Sequence, residues 1–478
     1  MLLFDTPRPV RSRALLISVS VKLPSFSQVA ALLLSAVAYS GLAYFTPRAD
    51  FGQLLALFGV ALLAYAWLLR SRLPWRWGVA AALLFRLLWL PAQPAFSDDV
   101  YRFRWDGLLV ANGINPFRFR PDEIIADGAH MALPDEVRRN AVLPQLQQLY
   151  RNLNSPHYYS VYPPVCQAVF ALGARVFPAS QMGFAVSLRV VILLAELGTA
   201  WLLLALLPAL GGPPERALRY LLHPLVIVEL TGNLHFEGVA LFFMLLAFWL
   251  LSRQRWAVSA GALGLGVATK LLPLLALPLL ARRLGLRRFA AYATLSVGTF
   301  ALLFSPFTSI ELLVNISRSL RLYFRSFEFN ASIYYLLRPI GYWLTGYNQI
   351  AIIGPLLALC SGLVGLALAW RERLPRLASL PQTLLLVLTA YYVLATTVHP
   401  WYLTLLIGLS ALSGFRYPLV WGGLAGLSYA AYRSSAYTEN LWLVGVEYVG
   451  TFAVLGLELY QQRVARNQQG RSHAIHQL

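Results

Sequence analysis

The 478-residue chain is 58% apolar and only 12% charged, with a formal net charge of +19 and a mean hydropathy of +0.60. That balance excludes a soluble globule, because a water-facing surface of this size needs far more polar side chains. The positive charge sits in short arginine clusters between apolar runs, a distribution that fits positive-inside topology and not a nucleic-acid-binding face.

Apolar runs of about 20 residues, enough to cross a bilayer core of roughly 30 Å, recur from residue 27 almost to the C-terminus. Arg8, Arg11, Arg13 and Lys22 precede the first run, which reads as a retained signal anchor with a cytoplasmic N-terminus. Oriented by arginine, helix 25–45 runs outward and helix 51–70 inward. Arg70, Arg72 and Arg76 mark the inner side, and helix 77–92 returns outward. Residues 93–160 then form one large extracytoplasmic loop with amphipathic pieces at 100–111 and 135–150.

Segment 162–177 is short, opens on Pro163 and Pro164, and is expected not to cross fully. Helices follow at 184–208, 217–232 and 236–252, with Arg216, Arg219, Arg253 and Arg255 inside. Arginines flank both ends of 256–281, so two short helices hinged near Lys270 and Pro273 are expected there. Helix 289–307, an aromatic amphipathic loop at 308–347, and helices at 348–370, 381–398, 401–414, 417–433 and 440–460 complete the chain. Arg371, Arg373, Arg376 and Arg416 then fall inside, as does a polar tail from Arg463. The fold class is an all-α polytopic membrane protein of about 13 spans. Cys166 and Cys360 lie far apart in apolar segments and support neither a disulfide framework nor a zinc site.

The chemistry concentrates on the outer side. Asp98 and Asp99 stand just beyond the end of a predicted membrane helix, where charge is costly unless it binds something polar or cationic. A carboxylate there suits a general base; the same pair also reads as an interfacial stop or a helix cap. Arg102 suits a phosphate, while Arg104 and Asp106 read equally as solvated helix charges. Tyr158, Tyr159 and Tyr162 with Pro163 form either an aromatic belt or a pocket wall. His235 and Glu237, two apart, do not share a helical face, so a metal pair is disfavoured and a loop contact with substrate stays open. Lys22 and Lys270 are the only lysines, and Lys270 lies between two apolar stretches, where an ammonium needs a partner: a phosphate, or an ion pair with Glu237 or Asp99. His399 and Tyr402 form an outer aromatic hairpin with Trp401.

Five pieces in this order, SDDVYRFRWDGLLVANGINPFRF at 97–119, YPPV at 162–165, NLHFEG at 233–238, ATKLLPLL at 268–275 and HPWYL at 399–403, resemble the GT-C superfamily of polyprenyl-phosphate-sugar glycosyltransferases. Within it the chain is similar to the bacterial mannosyltransferase-like group, from about Leu83 to Leu405. The resemblance implies a GT-C-like bundle with a large first catalytic outer loop, and a hexose, mannose for this group, moved from a polyprenyl-phosphate donor to a lipid or glycan acceptor with inversion. It places the active site on the extracytoplasmic face of the plasma membrane. Asp98 is expected as base with Asp99 as its acidic partner. Arg102, Lys270 and His399 match basic residues that bind the carrier phosphate, and Tyr162, His235, Glu237 and Tyr402 join them around the substrate. No cofactor is demanded, and a divalent cation is compatible with the displacement.

The resemblance divides the chain into an N-terminus with an extra hairpin (1–76), the catalytic module (77–307), a C-terminal membrane region (308–462) and the tail (463–478). No GxGxxG or P-loop fingerprint occurs, which disfavours a nucleotide-sugar donor. The alternative from another class is a lipid-linked-sugar flippase or secondary transporter. Such proteins show repeat symmetry and broken midplane helices, whereas this chain has one hinge, near Lys270, no matching second half, and its charges on one face.

Overall fold

The structure, a computed structural model, describes residues 22–126, 136–372, 375–434 and 437–475. Arg8, Arg11, Arg13 and Arg373 of the expected inner clusters lie outside the described residues. The helices in chain order are α1 (Phe26–Tyr44), α2 (Phe51–Arg70), α3 (Trp75–Leu88), α4 (Asp99–Ala111), α5 (Pro121–Ala126), α6 (Glu136–Tyr150), α7 (Pro164–Val176), α8 (Gln181–Leu206) and the single turns α9 (Leu218–Leu221) and α10 (Pro224–Val226). They continue as α11 (Glu237–Ser252), α12 (Trp256–Val267), α13 (Leu277–Leu284), α14 (Leu286–Phe304), α15 (Leu312–Arg325), α16 (Ile333–Thr345), α17 (Ile350–Arg371), α18 (Leu380–Leu394), α19 (Leu403–Leu412), α20 (Tyr417–Leu424) and α21 (Leu441–Ile475). Extended pairing among the described residues is confined to one bridge, Phe329 with Thr397. The protein is an all-α, multi-pass membrane protein.

Among the described residues seven helices are long and apolar enough to cross a bilayer, and an eighth span results if the pair Pro224–Gly232 and Glu237–Ser252, bent by 110°, counts as one. The expected count of about 13 is reached only by including helices too short to cross alone, among them Trp256–Val267 and Pro400–Leu412. Proline and glycine cut these runs. The helix expected at 217–232 is broken at Pro224, whose ring cannot continue a helix, and resumes as a π-turn over Ile227–Gly232. The stretch 256–281 is hinged as expected: α12 stops at Val267, and a 3₁₀ turn at Leu272–Ala276 precedes α13. The tail expected beyond Arg463 instead continues α21 to Ile475.

The core surrounds α19, in which every residue from Leu403 to Leu412 is buried. A helix apolar all round belongs inside a bundle, and α11 and α18 pack against it. The hairpin of α1, capped by Ser25 and Gln28, and α2, capped by Asp50, lies against α3 and the 3₁₀ segment 425–432. Across the bundle, α4 packs on α7. Arg104 of α4 donates to Gln181 Oε1 and to the Pro178 carbonyl, both at 2.8 Å, so the C-terminal end of α7 stays beside the outer-loop helix. Its N-terminal end abuts the α12 hinge, where Val165 N donates to the Ala268 carbonyl at 3.0 Å. At thirteen residues, α7 is too short to cross a bilayer core alone.

Candidate active site

The long loop after α3 meets the two helix breaks at one place. At the first, the π-turn ends at Gly232, and Leu234 takes a φ of +66°, a left-handed conformation that a branched side chain disfavours. Backbone carbonyls freed in this way need donors inside a membrane protein. Arg189 supplies them: Nε donates to Thr231 O at 2.8 Å, Nη2 to Gly232 O at 3.0 Å, and Nη1 to Leu90 O and Ala92 O. One buried guanidinium thereby ties the break to the segment that leads into Asp98 and Asp99. Asn233 adds a second tie by accepting from Phe96 N at 3.3 Å.

The two aspartates then part company. Asp98 holds the N-cap position of α4 without capping it. Its carboxylate pairs with Arg48, from the α1–α2 turn, at 2.9 Å and is 46% exposed. Arg48 also lies over the Tyr432 ring at 4.0 Å, so the extra hairpin contributes to the surface next to the site. Asp99 turns inward. It accepts from Asn154 Nδ2 at 3.1 Å and faces His235 Nε2 at 3.8 Å.

His235 is buried, with Nδ1 3.2 Å from a Glu229 carboxylate oxygen and 3.1 Å from the Glu229 carbonyl. Glu229 in turn accepts from Tyr429 and from Asn233 Nδ2. Trp401 is sandwiched between two imidazoles: its ring centroid is 3.9 Å from that of His235 and 4.2 Å from that of His399, both nearly parallel. At the second break, Lys270 Nζ lies 2.8 Å from Glu237, the first residue of α11, and 5.8 Å from the Tyr162 ring centroid.

Of the residues expected from sequence, the fold therefore gathers Asp99, His235, His399, Glu237, Lys270 and Tyr162. Tyr402 meets the group through its ring edge, 5.4 Å from His399. Arg102 stands apart: it is buried, pairs with Asp106 at 2.9 Å and donates to the carbonyls of Ser155 and Tyr158. Arg104 and Asp106 are also buried, which removes their reading as solvated charges; Asp106 accepts from Gln167 Nε2 at 3.0 Å and from Ser160, locking α4 to α7. Sequence reasoning missed Glu229, Asn154, Arg48 and the central place of Trp401. Glu229 had a signal, a carboxylate in the apolar run ending at Leu230, where charge is rare without a role.

The electrostatics of the outer end favour an ionised carboxylate. Burial alone would raise the Asp99 carboxyl, but the nearby His235 imidazole and the hydrogen bond from Asn154 outweigh it and hold the group down at about 2. Among the described residues no three His, Cys, Asp or Glu side chains converge as a metal-binding group. No residue is therefore assigned to a divalent cation.

The family model for alpha-(1->6)-mannopyranosyltransferase, N-terminal domain, matches residues 13–284, more than half of the chain. The chain belongs to this family. Among curated proteins no relative matches it. The protein is thus an alpha-mannosyltransferase, an enzyme that needs a sugar donor and a glycan acceptor and works in a bilayer. The matched part of the mannosyltransferase contains Asp98, Asp99, His235, Glu237 and Lys270, whereas His399, Trp401 and Tyr402 fold onto it from beyond residue 284.

Proposed function

We propose that this mannosyltransferase takes mannose from a polyprenyl-phosphate carrier at the extracytoplasmic face of the plasma membrane and transfers it with inversion, using Asp99 as base. The observation that carries the reading is the convergence of Asp99 with His235, His399 and Lys270 where two broken helices meet the outer loop. In the reaction the acceptor oxygen bonds to C1 of mannose as the bond from C1 to the phosphate oxygen breaks. The acceptor's proton passes to Asp99, and the carrier leaves as polyprenyl phosphate. A direct displacement of this kind inverts C1.

Two charges must be handled, and the site has a group for each. The carboxylate of Asp99 is kept ionised and oriented by His235 and Asn154. Negative charge growing on the phosphate calls for a preorganised cation, a role for Lys270 with His399 beside it. Lys270 is 21% exposed although its partner Glu237 is almost fully buried, so the ammonium keeps an accessible side. The lipid donor is supported by the position of this cation between short apolar helices and by the lack of a nucleotide fingerprint. The outer face is supported by the arginine-rich turns on the opposite side of the predicted topology.

The test is transfer by purified protein in detergent, offered polyprenyl-phosphate mannose or a nucleotide-diphosphate mannose with a mannoside acceptor, with the anomeric configuration of the product read by NMR. Transfer from the lipid donor alone with inverted C1 is the expected result. Transfer from the nucleotide donor alone, or a retained configuration, overturns the reading.

A further inference from the structure

One cleft of the molecule is not used by this chemistry. It encloses about 270 Å³ between Arg120, Glu123, His157, Tyr158, Tyr159 and Arg318, and Asp99 is not among its walls. Three outer elements build it: α5, the peptide 154–160, and α15. They are fastened to one another. His157 Nδ1 lies 2.8 Å from Asp122, Asp122 N donates to Pro156 O at 3.1 Å, and Ser319 of α15 donates to Tyr159 O at 3.0 Å. Arg120 is paired with both Asp122 and Glu123, at 3.3 and 3.0 Å.

The chemistry of the lining selects its ligand class. Two arginines and one carboxylate, Glu123, line the cleft, and the charge of Arg120 is offset by its pairs with Glu123 and with Asp122 behind it, which leaves a modest positive charge and not the cluster of free cations that suits a phosphate. What remains is two tyrosine rings beside planar groups that donate and accept hydrogen bonds. Aromatic faces take the apolar face of a sugar ring, and guanidinium, carboxylate and imidazole groups take its hydroxyls. The volume lies just below the roughly 300–1,000 Å³ of drug-sized ligand sites, which suits a short sugar segment.

The cleft is wired to the base. Asn154 donates to Asp99, and Arg102, one turn along α4 from Asp99, clamps the carbonyls of Ser155 and Tyr158. The four steps from Asn154 to Tyr158 span at most about 14 Å, the reach of a few linked sugars. We propose that this cleft binds the non-reacting sugars of a neutral glycan acceptor and so presents its terminal hydroxyl to Asp99. The direction in which the glycan runs rests on the reading of Asp99 as base; its binding in the cleft does not.

The experiment uses the full-length protein in detergent, as wild type and as Tyr159→Ala, Arg318→Ala and Tyr159→Phe. Binding of manno-oligosaccharides is titrated without donor, and acceptor and donor KM are measured with polyprenyl-phosphate mannose. Loss of one sugar contact corresponds to about a tenfold weakening. The expected result is that both alanine variants weaken oligosaccharide binding about tenfold and raise the acceptor KM for long acceptors, while donor KM and the response to a single mannoside stay put. Tyr159→Phe, which keeps the ring, retains affinity and shows that the loss is not a folding defect. Unchanged oligosaccharide affinity in both alanine variants, or a rise confined to donor KM, overturns the proposal. If the lipid donor supports no transfer at all, the donor reading fails and the donor-free titration still decides the cleft.

Discussion

Asp98 and Asp99 are adjacent in sequence yet serve different partners: Asp98 reaches out to Arg48 at 2.9 Å, and Asp99 turns in toward His235 at 3.8 Å. The base expected at Asp98 is therefore proposed at Asp99. Removing a general base costs on the order of 10²- to 10⁴-fold in rate. Asp99→Asn is expected to lose that much in kcat, while Asp98→Asn, which breaks only a half-exposed ion pair worth at most about 1 kcal/mol, keeps most of its activity. Initial rates of mannosyl transfer at saturating donor separate the two. An inactive Asp98→Asn beside an active Asp99→Asn would return the base to Asp98.

The depressed Asp99 carboxyl makes a prediction about pH. Burial pushes it up, and His235 with Asn154 pulls it further down, to about 2 in the folded protein against about 4 in an unfolded chain. A folded value below the unfolded one stabilises the fold above about pH 4, and that contribution is lost as pH falls from about 4 to about 2. In wild type the acid limb of kcat/KM should thus not come from Asp99 above about pH 4. Asn154→Ala removes one of the lowering hydrogen bonds and leaves the burial in place, so the carboxyl rises and the acid limb moves to higher pH. A pH profile of kcat/KM that is identical in the variant would remove Asn154 from the control of this group.

The class of the fold was legible because the bilayer imposes a composition and a run length that few other environments demand. The number of spans was less legible: a hydropathy run does not reveal that Pro224 cuts 217–232, or that α7 is a short helix held between α4 at one end and the α12 hinge at the other. At the site, costly charges were informative. Lys270 stood out because an intramembrane ion needs a partner, and of the partners open to it from sequence the structure pairs it with Glu237. The choice between Asp98 and Asp99 was not legible, because it depends on Arg48, some 50 residues away in a hairpin with no assigned role. The same limit hid the stack of His235, Trp401 and His399, whose members come from segments more than 160 residues apart.

The position of Asp99 also depends on a glycine far from any substrate. Gly107 sits where α4 crosses α7, and a Cβ there would lie 2.4 Å from the Phe170 carbonyl oxygen and 2.8 Å from its carbon. Backbone cannot swing aside as a flexible side chain can, so Gly107→Ala must push α4 away from α7. Overpacking of this kind costs about 1–3 kcal/mol. The variant is expected to unfold at a lower temperature in detergent and to lose transferase activity beyond its loss of folded protein, because Asp99 begins the same helix. Activity per folded molecule equal to wild type would show that α4 absorbs the strain without moving Asp99.

Lys270 and Glu237 allow structure and chemistry to be separated. Glu237 is 1% exposed on its side chain and pairs with Lys270 at 2.8 Å. Lys270→Met strands a buried carboxylate, and breaking such a pair from one side costs about 3–5 kcal/mol; the partial exposure of Lys270 places the expected loss near the lower end. Lys270→Met with Glu237→Gln removes the stranded charge and should recover most of the thermal stability. If Lys270 serves the carrier phosphate as well as the ion pair, the double variant stays impaired in transfer and in affinity for the lipid donor. If the ion pair is its whole role, transfer returns together with stability. Thermal unfolding and donor titration on the wild type, the single variant and the double variant distinguish the two, and the proposed assignment of Lys270 to the phosphate requires the first outcome.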